Sequence, residues 1–244
     1  MALPRTHLTN APIVEALVDV RVSPRPDVVP AGFQKLAVQF ATDFPIRAQQ
    51  FELQQTFQLG VGGSPPPPSQ TISGWMLRSE ERAAIAQFRA DGFTYNKLAP
   101  YTNWEEVSGE ALRLWRAYAA EARPTEITRL AVRYINQLLL PFADLKDYLE
   151  APPAAPPQWP KVLEGFLFRW ILRDPARDAR AVVTQTMGGP AGPGQVQVIL
   201  DIDVFREGHF DADLNVEDAL QPLGRLKNEV FFASLTEKAI AQYL

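Results

Sequence analysis

The fold is decided by the segment Pro12-Ile-Val-Glu-Ala-Leu-Val-Asp-Val-Arg-Val22, which alternates in polarity and is rich in β-branched residues. That pattern predicts a β-strand, because successive side chains of a strand point to opposite faces of a sheet. Pro24 and Pro26 end the strand. Glu15 and Asp19 lie four residues apart within it, so both carboxylates lie on one face.

A second segment, residues 127–138, has the same character and carries Arg129 and Arg133, again four residues apart. If the two strands are antiparallel neighbours, one register places Glu15 opposite Arg133 and Asp19 opposite Arg129. A parallel pairing would instead align Glu15 with Arg129 and Asp19 with Arg133. The spacing therefore predicts that the two strands are adjacent and leaves their direction open.

Charged side chains inside apolar strands are tolerated only when they are paired. One interpretation of the Glu15, Asp19, Arg129 and Arg133 cluster is an ion-pair ladder that specifies how two halves of the chain meet. The other is a polar pocket in which the two arginines bind a small anionic ligand. Both interpretations stay open at this stage.

Outward from the first strand, residues 29–44 predict a helix, because apolar residues recur at steps of three and four. Strands are predicted at 48–59, 71–78 and 83–98, with a glycine- and proline-rich loop at 60–69. A second helix begins after Asn103, which can cap it.

The same order starts again after residue 124. We predict a strand at 127–138, a short helix at 143–149, strands at 166–173, 179–187 and 195–205, and a final helix capped by Asn215. A second glycine- and proline-rich loop, 188–194, joins two of these strands. We infer two similar units, 1–124 and 125–244, which can form one continuous domain, with a proline-rich linker at 151–160.

The predicted fold class is α+β, with two β-α-β-β-β-α repeats that form one extended antiparallel sheet. Each helix has one apolar stripe, so placing the repeats side by side with the helices on one face is the economical arrangement. The other face of the sheet would then be the place to look for a ligand.

Composition excludes several kinds of function. The 244 residues contain no cysteine, which removes disulfides, thiolate metal sites and thiol nucleophiles. The N-terminus lacks the apolar segment of a signal peptide and no stretch is long enough to span a membrane, so we expect a soluble, cytoplasmic protein without membrane contact. A net charge of -4 argues against nucleic acid as a partner.

The remaining candidate motifs are weak. Arg169, Arg173, Arg177 and Arg180 form the nearest approach to a basic cluster, but Asp174 and Asp178 interrupt it. His209, Asp211 and Asp213, with Asp201 and Asp203 upstream, resemble metal ligands only in residue type. Phosphate-binding loops, nucleotide-binding glycine motifs and hydrolase elbows are missing from the sequence. We predict no cofactor and no metal site.

Several separate motifs resemble a sporadically distributed family of bacterial and archaeal proteins that has no established activity. They are Asn10-Ala-Pro-Ile-Val-Glu15, Asp91-Gly-Phe-Thr-Tyr95 with Pro100-Tyr-Thr-Asn-Trp104, the segment from Arg129 to Arg133-Tyr-Ile-Asn136, and Lys227-Asn-Glu-Val-Phe-Phe232 with Thr236-Glu-Lys238. The resemblance spans nearly the whole chain. It implies that Glu15, Arg129, Arg133, Tyr134 and Asn136 are signature positions, and we expect them to coincide with the charged cluster.

Three functions compete. The first is a non-catalytic binding or protein-interaction module that uses the sheet face, since no complete catalytic constellation is present. The second is an enzyme or ligand-binding protein that takes a small anionic substrate at the Glu15, Asp19, Arg129 and Arg133 cluster, with Tyr134 and Asn136 beside it. The third is a homodimer formed through an exposed sheet edge or an aromatic surface.

Overall fold

The structure is a computed structural model that describes residues 8–54, 69–156, 158–160 and 162–244. Nine β-strands form one antiparallel sheet in the order β2-β3-β4-β5-β1-β6-β9-β8-β7. The strands are β1 (Ile13–Val22), β2 (Ile46–Gln54), β3 (Ser69–Ser79), β4 (Ala84–Arg89), β5 (Gly92–Leu98), β6 (Glu126–Pro141), β7 (Leu167–Asp174), β8 (Ala179–Gly192) and β9 (Gln195–Asp211).

Helices are few. They are α1 (Gln34–Gln39), α2 (Trp104–Ala122), α3 (Val216–Ser234) and α4 (Glu237–Ile240), with short 3-10 helices at Pro30–Phe33, Phe142–Asp147 and Ala241–Tyr243. The α+β class with one large antiparallel sheet is therefore confirmed. None of the helices formed by the described residues is long and apolar enough to cross a membrane.

The strands β1 and β6 are antiparallel neighbours at the centre of the sheet. Strands from residues 1–124 lie on one side of this junction and strands from residues 125–244 lie on the other, so both predicted units contribute to one sheet. The sequence predicted the adjacency, and the structure supplies the direction.

One face of the sheet packs against the helices. It carries Val18, Val20 and Val132, which are almost completely buried. Tyr118 of α2 stacks on this face against Phe88, with ring centroids 6.3 Å apart, and α3 lies across β6 and β9. We call the opposite face, which carries Glu15, Asp19, Arg129 and Arg133, the open face.

Both predicted helix caps are confirmed. The side chain of Asn103 accepts a hydrogen bond from the backbone N–H of Glu106 at 2.8 Å. Asn215 does the same for Asp218 at 3.3 Å. Each amide satisfies one of the backbone donors that the first helical turn leaves free.

The single strand predicted at 83–98 is wrong, because the chain reverses at Asp91-Gly92 and forms the hairpin of β4 and β5. Gly92 has a φ of +155°, and a Cβ atom there would lie 2.5 Å from the carbonyl oxygen of Val20. Glycine is therefore required at this turn, and the Asp-Gly pair was the signal for it.

Two predicted helices differ from the structure in length or type. The helix predicted at 29–44 shortens to a 3-10 turn and the six-residue α1, although its stripe residues Phe33, Leu36, Phe40 and Phe44 are buried as expected. The short helix predicted at 143–149 is a 3-10 helix.

The predicted loop at 188–194 is largely strand, because β8 and β9 stay paired through Gly192 with two register irregularities. These irregularities accommodate the glycines and prolines that suggested a loop. The loop predicted at 60–69 lies almost entirely outside the described residues.

Candidate functional site

The predicted register between the two central strands is wrong by two residues. Leu17, not Glu15, lies opposite Arg133, and Arg21, not Asp19, lies opposite Arg129. On the helix-packed face this register places Val18 opposite Val132, and both side chains are buried. Because the register differs by two residues, each side chain stays on its predicted face, and the charged side chains reach their partners diagonally.

Arg129 connects three strands on the open face. Its guanidinium donates to Asp19 of β1 at 3.0 Å and makes two bonds to Asp203 of β9, at 3.0 and 2.8 Å. The same guanidinium lies over the ring of Phe205, 4.5 Å from its centroid. The predicted pair of Asp19 and Arg129 is thus present. The pairing of Arg129 with Asp203 was not predicted from the sequence.

Arg133 does not pair with Glu15. It makes two hydrogen bonds to Asp201 of β9, at 2.8 and 2.6 Å, and these bonds raise the pKa of Arg133. Glu15 instead accepts a hydrogen bond from the side-chain amide of Asn96. The four predicted residues therefore share a face without forming the predicted ladder.

The network continues into the first half of the sheet. Asp19 also accepts from the hydroxyl of Thr94 at 2.6 Å and from Arg21 at 3.1 Å. Arg89 donates to Thr94 at 3.0 Å and lies 3.6 Å from Asp19. The side-chain oxygen of Asn96 is buried and has no hydrogen-bond partner among the described residues.

Every arginine of this network is already paired with a carboxylate. The guanidiniums of Arg21, Arg89, Arg129 and Arg133 share the face with the carboxylates of Glu15, Asp19, Asp201 and Asp203. Asp91 and Glu207 also lie within 4 Å of three of these arginines. Burial raises the pKa of Asp203 in spite of the neighbouring Arg129. An incoming anion would therefore compete with carboxylates that already bind the arginines.

Tyr134 and Asn136 lie on the helix-packed face, so the structure separates them from the charged cluster. The Tyr134 hydroxyl lies 3.2 Å from that of Tyr101. Asn136 donates to the carbonyl oxygen of Leu200 at 2.9 Å. The expectation that these two residues share one cluster with Glu15, Arg129 and Arg133 is wrong, because adjacent residues of a strand point to opposite faces.

Lys227 of α3 completes this second, helix-side group. Its ammonium nitrogen lies 3.6 Å from the centroid of the Tyr134 ring and donates to Asn228. Burial lowers the pKa of Lys227 to about 7. The sequence signal was a lysine in line with the apolar residues Leu220, Leu223 and Phe231 of the same helix, a position that faces the core.

The candidate metal ligands do not come together. No group of three or more histidine, aspartate or glutamate side chains in the described part of the chain could hold a metal ion. Asp201 and Asp203 bind the arginines of β6, and the exposed His209 bonds to Glu126 at 2.6 Å.

At the β7 end of the open face, exposed aliphatic side chains lie beside charged ones. Leu167 and Ile171 of β7 are 67% and 69% exposed. The pairing places Leu167 opposite Thr186, and Ile171 opposite Val182 of β8. Arg169 lies between them, opposite Thr184, and forms no ion pair with another described residue. This end combines exposed aliphatic surface with available positive charge.

Neither a protein-family model nor a curated protein matches the chain. The functional assignment therefore depends on the geometry of the open face.

Proposed function

We propose that the chain is a non-catalytic binding module that holds a protein partner on the open face of its sheet, at the β7 end. The exposure of Leu167 and Ile171 on one strand face carries this proposal. Folding alone does not favour leaving these two aliphatic side chains, one on each side of Arg169, in water, and exposed apolar surface of this kind marks interaction sites. Arginine beside aliphatic side chains is also characteristic of protein interfaces.

The ion-pair network at the centre of the face supports the same proposal, because its arginines already bind carboxylates. Arg129 and Arg133 are each bound through two hydrogen bonds to one carboxylate, so they serve to join β6 to β9. This arrangement favours the structural interpretation of the charged cluster. The β7 end of the face, with its exposed aliphatic side chains and Arg169, then remains as the surface for a partner.

The test is site-specific photocrosslinking in cells, with a benzophenone amino acid at Thr184 of β8, which lies opposite Arg169 and therefore between the positions of Leu167 and Ile171. We expect a discrete protein adduct that disappears when Ile171→Asp is added. The matched control is Val38→Asp, which places the same charge at an equally exposed position of α1. Adducts that persist in Ile171→Asp, or fail to form, would refute the proposal.

A second candidate is a small anionic ligand or substrate at the Arg129 and Arg133 cluster. One observation favours it: the Arg133 side chain is 43% exposed, and its bonds to Asp201 use only two of its three nitrogens. Thermal unfolding with inorganic phosphate and with small dicarboxylates tests it. A rise in melting temperature that Arg133→Ala abolishes would favour this function over a protein partner.

We also infer that the two halves are structural repeats. Outward from the β1–β6 junction, the strand order is β5-β4-β3-β2 on one side and β9-β8-β7 on the other, so the first half has one strand more. In each half the strand next to the junction strand is followed by a helix with an asparagine cap, α2 after Asn103 and α3 after Asn215. Membership in the prokaryotic family that the motifs resemble stays a prediction.

A further inference from the structure

The last strand of the sheet, β7, is regular along its length. It pairs with β8 over eight residues without a register shift. On its other side, no strand of the described residues pairs with it. A regular edge strand presents a row of free backbone N–H and C=O groups, which an additional strand can use.

The open-face side chains of β7 include two arginines, Arg169 and Arg173, four residues apart with Ile171 between them. Arg169 has no ion-pair partner among the described residues, and Arg173 reaches only the exposed Asp178, at 3.6 Å. The edge thus carries positive charge that the sheet itself does not neutralise.

Inside the same sheet, two arginines with the same spacing are neutralised by carboxylates of the neighbouring strand. On β6, Arg129 and Arg133 are also four residues apart on the open face. The neighbouring strand β9 supplies Asp203 to the first and Asp201 to the second, each through two hydrogen bonds of 2.6 to 3.0 Å. Two arginines four apart on one strand are therefore matched by two carboxylates two apart on the next strand.

We propose that β7 binds an extended acidic segment of a partner protein as a tenth strand. Carboxylates two residues apart in that segment bind Arg169 and Arg173, as Asp201 and Asp203 bind the arginines of β6. Aliphatic residues on the same side of the segment cover Leu167 and Ile171. The inference rests on the proposed function, because it names the partner chemistry of the same surface.

The positive charge of β7 favours an acidic segment of a partner protein over a second copy of the chain. Pairing β7 with β7 of another molecule would bring four arginines together on one face of two adjacent strands. Like charges on adjacent strands destabilise a sheet, whereas opposite charges stabilise it. An acidic segment satisfies both arginines and the free backbone groups.

The probe is a fluorescent Ile-Thr-Asp-Thr-Asp-Thr-Ile peptide, titrated with the full chain and followed by anisotropy. We expect binding to weaken by about tenfold or more in the double variant Arg169→Glu, Arg173→Glu, and to return with a peptide that has lysine in place of aspartate. The matched control is Arg47→Glu, Arg116→Glu, which makes the same change of charge elsewhere and should leave the affinity unaltered.

Two N-methylated peptides distinguish backbone pairing from charge attraction. One is methylated on the odd-numbered residues and the other on the even-numbered residues. Only one set of amides in an added strand faces β7, so one peptide should lose binding and the other should keep it. Equal binding of both peptides, or no binding of the acidic peptide, would overturn the inference. So would a dimer in sedimentation that Arg169→Glu abolishes. If the peptide fails to bind while the Thr184 adduct forms and is lost in Ile171→Asp, this inference fails and the proposed function stands.

Discussion

At the scale of single residues, Lys227 is the most unusual group in the molecule. It lies between α3 and the sheet, only 6% exposed, with its ammonium over the face of Tyr134. The aromatic ring and Asn228 compensate in part for the lost water, but no carboxylate of the described residues forms an ion pair with it. Burial therefore lowers the pKa of Lys227 from 10.5 to about 7.

This shift predicts a pH dependence of stability. Between pH 7 and the unfolded-state pKa of lysine, about 10.4, the unfolded chain binds more protons than the folded chain, so the free energy of unfolding should rise with pH. Below pH 7 Lys227 is protonated in both states, so the cost of its buried charge is fully present and no longer changes with pH. Lys227→Met should remove the rise and be more stable than the natural chain at pH 7.

Urea unfolding of both proteins from pH 6 to 9.5 measures this effect, and the difference between them isolates Lys227. Above this window, burial raises the pKa of Tyr95 to about 12, so tyrosine ionisation adds an opposite trend in both proteins. A parallel pH dependence of the two proteins would show that Lys227 is not responsible.

At the scale of secondary-structure elements, two glycines give opposite predictions. Gly92 opens β5 at a φ of +155°, and an added Cβ would meet the backbone of Val20. Gly109 lies within α2, where an added Cβ meets no atom within 4 Å. The first glycine is required by the hairpin, whereas the second only weakens a helix.

Gly92→Ala should therefore destabilise the protein by about 2 kcal/mol or more, because the turn or β1 must move. Gly109→Ala should stabilise it by up to about 1 kcal/mol. Urea unfolding under identical conditions measures both changes. The same sign for the two variants would contradict the assignment of the β4–β5 hairpin.

At the scale of the whole molecule, the two halves share one core. The central pair β1 and β6 is hydrogen-bonded along most of β1, and the buried apolar residues of both halves form a single cluster. A sheet and a core that are continuous across the junction predict cooperative unfolding of the entire chain.

Hydrogen exchange followed by mass spectrometry tests this cooperativity. Gly92→Ala perturbs only the first half directly, yet it should speed the slowest exchange of β8 and β9 as much as that of β4 and β5. Gly109→Ala provides the control and should slow exchange in both halves together. Faster exchange confined to β4 and β5 would show that the halves unfold separately.

The sequence by itself determined the α+β class, the adjacency of β1 and β6, and the caps of α2 and α3. Each of these depends on local signals, namely alternation along a strand and an asparagine before a helix. Tertiary structure alone decided the register, because a shift by two residues leaves every side chain on the same face and so cannot be read from the alternation of the sequence. Tertiary structure also determined that Asp201 and Asp203 pair with the arginines of β6. It placed Tyr134 and Asn136 on the helix-packed face. It left Leu167 and Ile171 exposed. These outcomes depend on which strand lies beside which and on the face that the helices cover, and contacts between distant residues fix both.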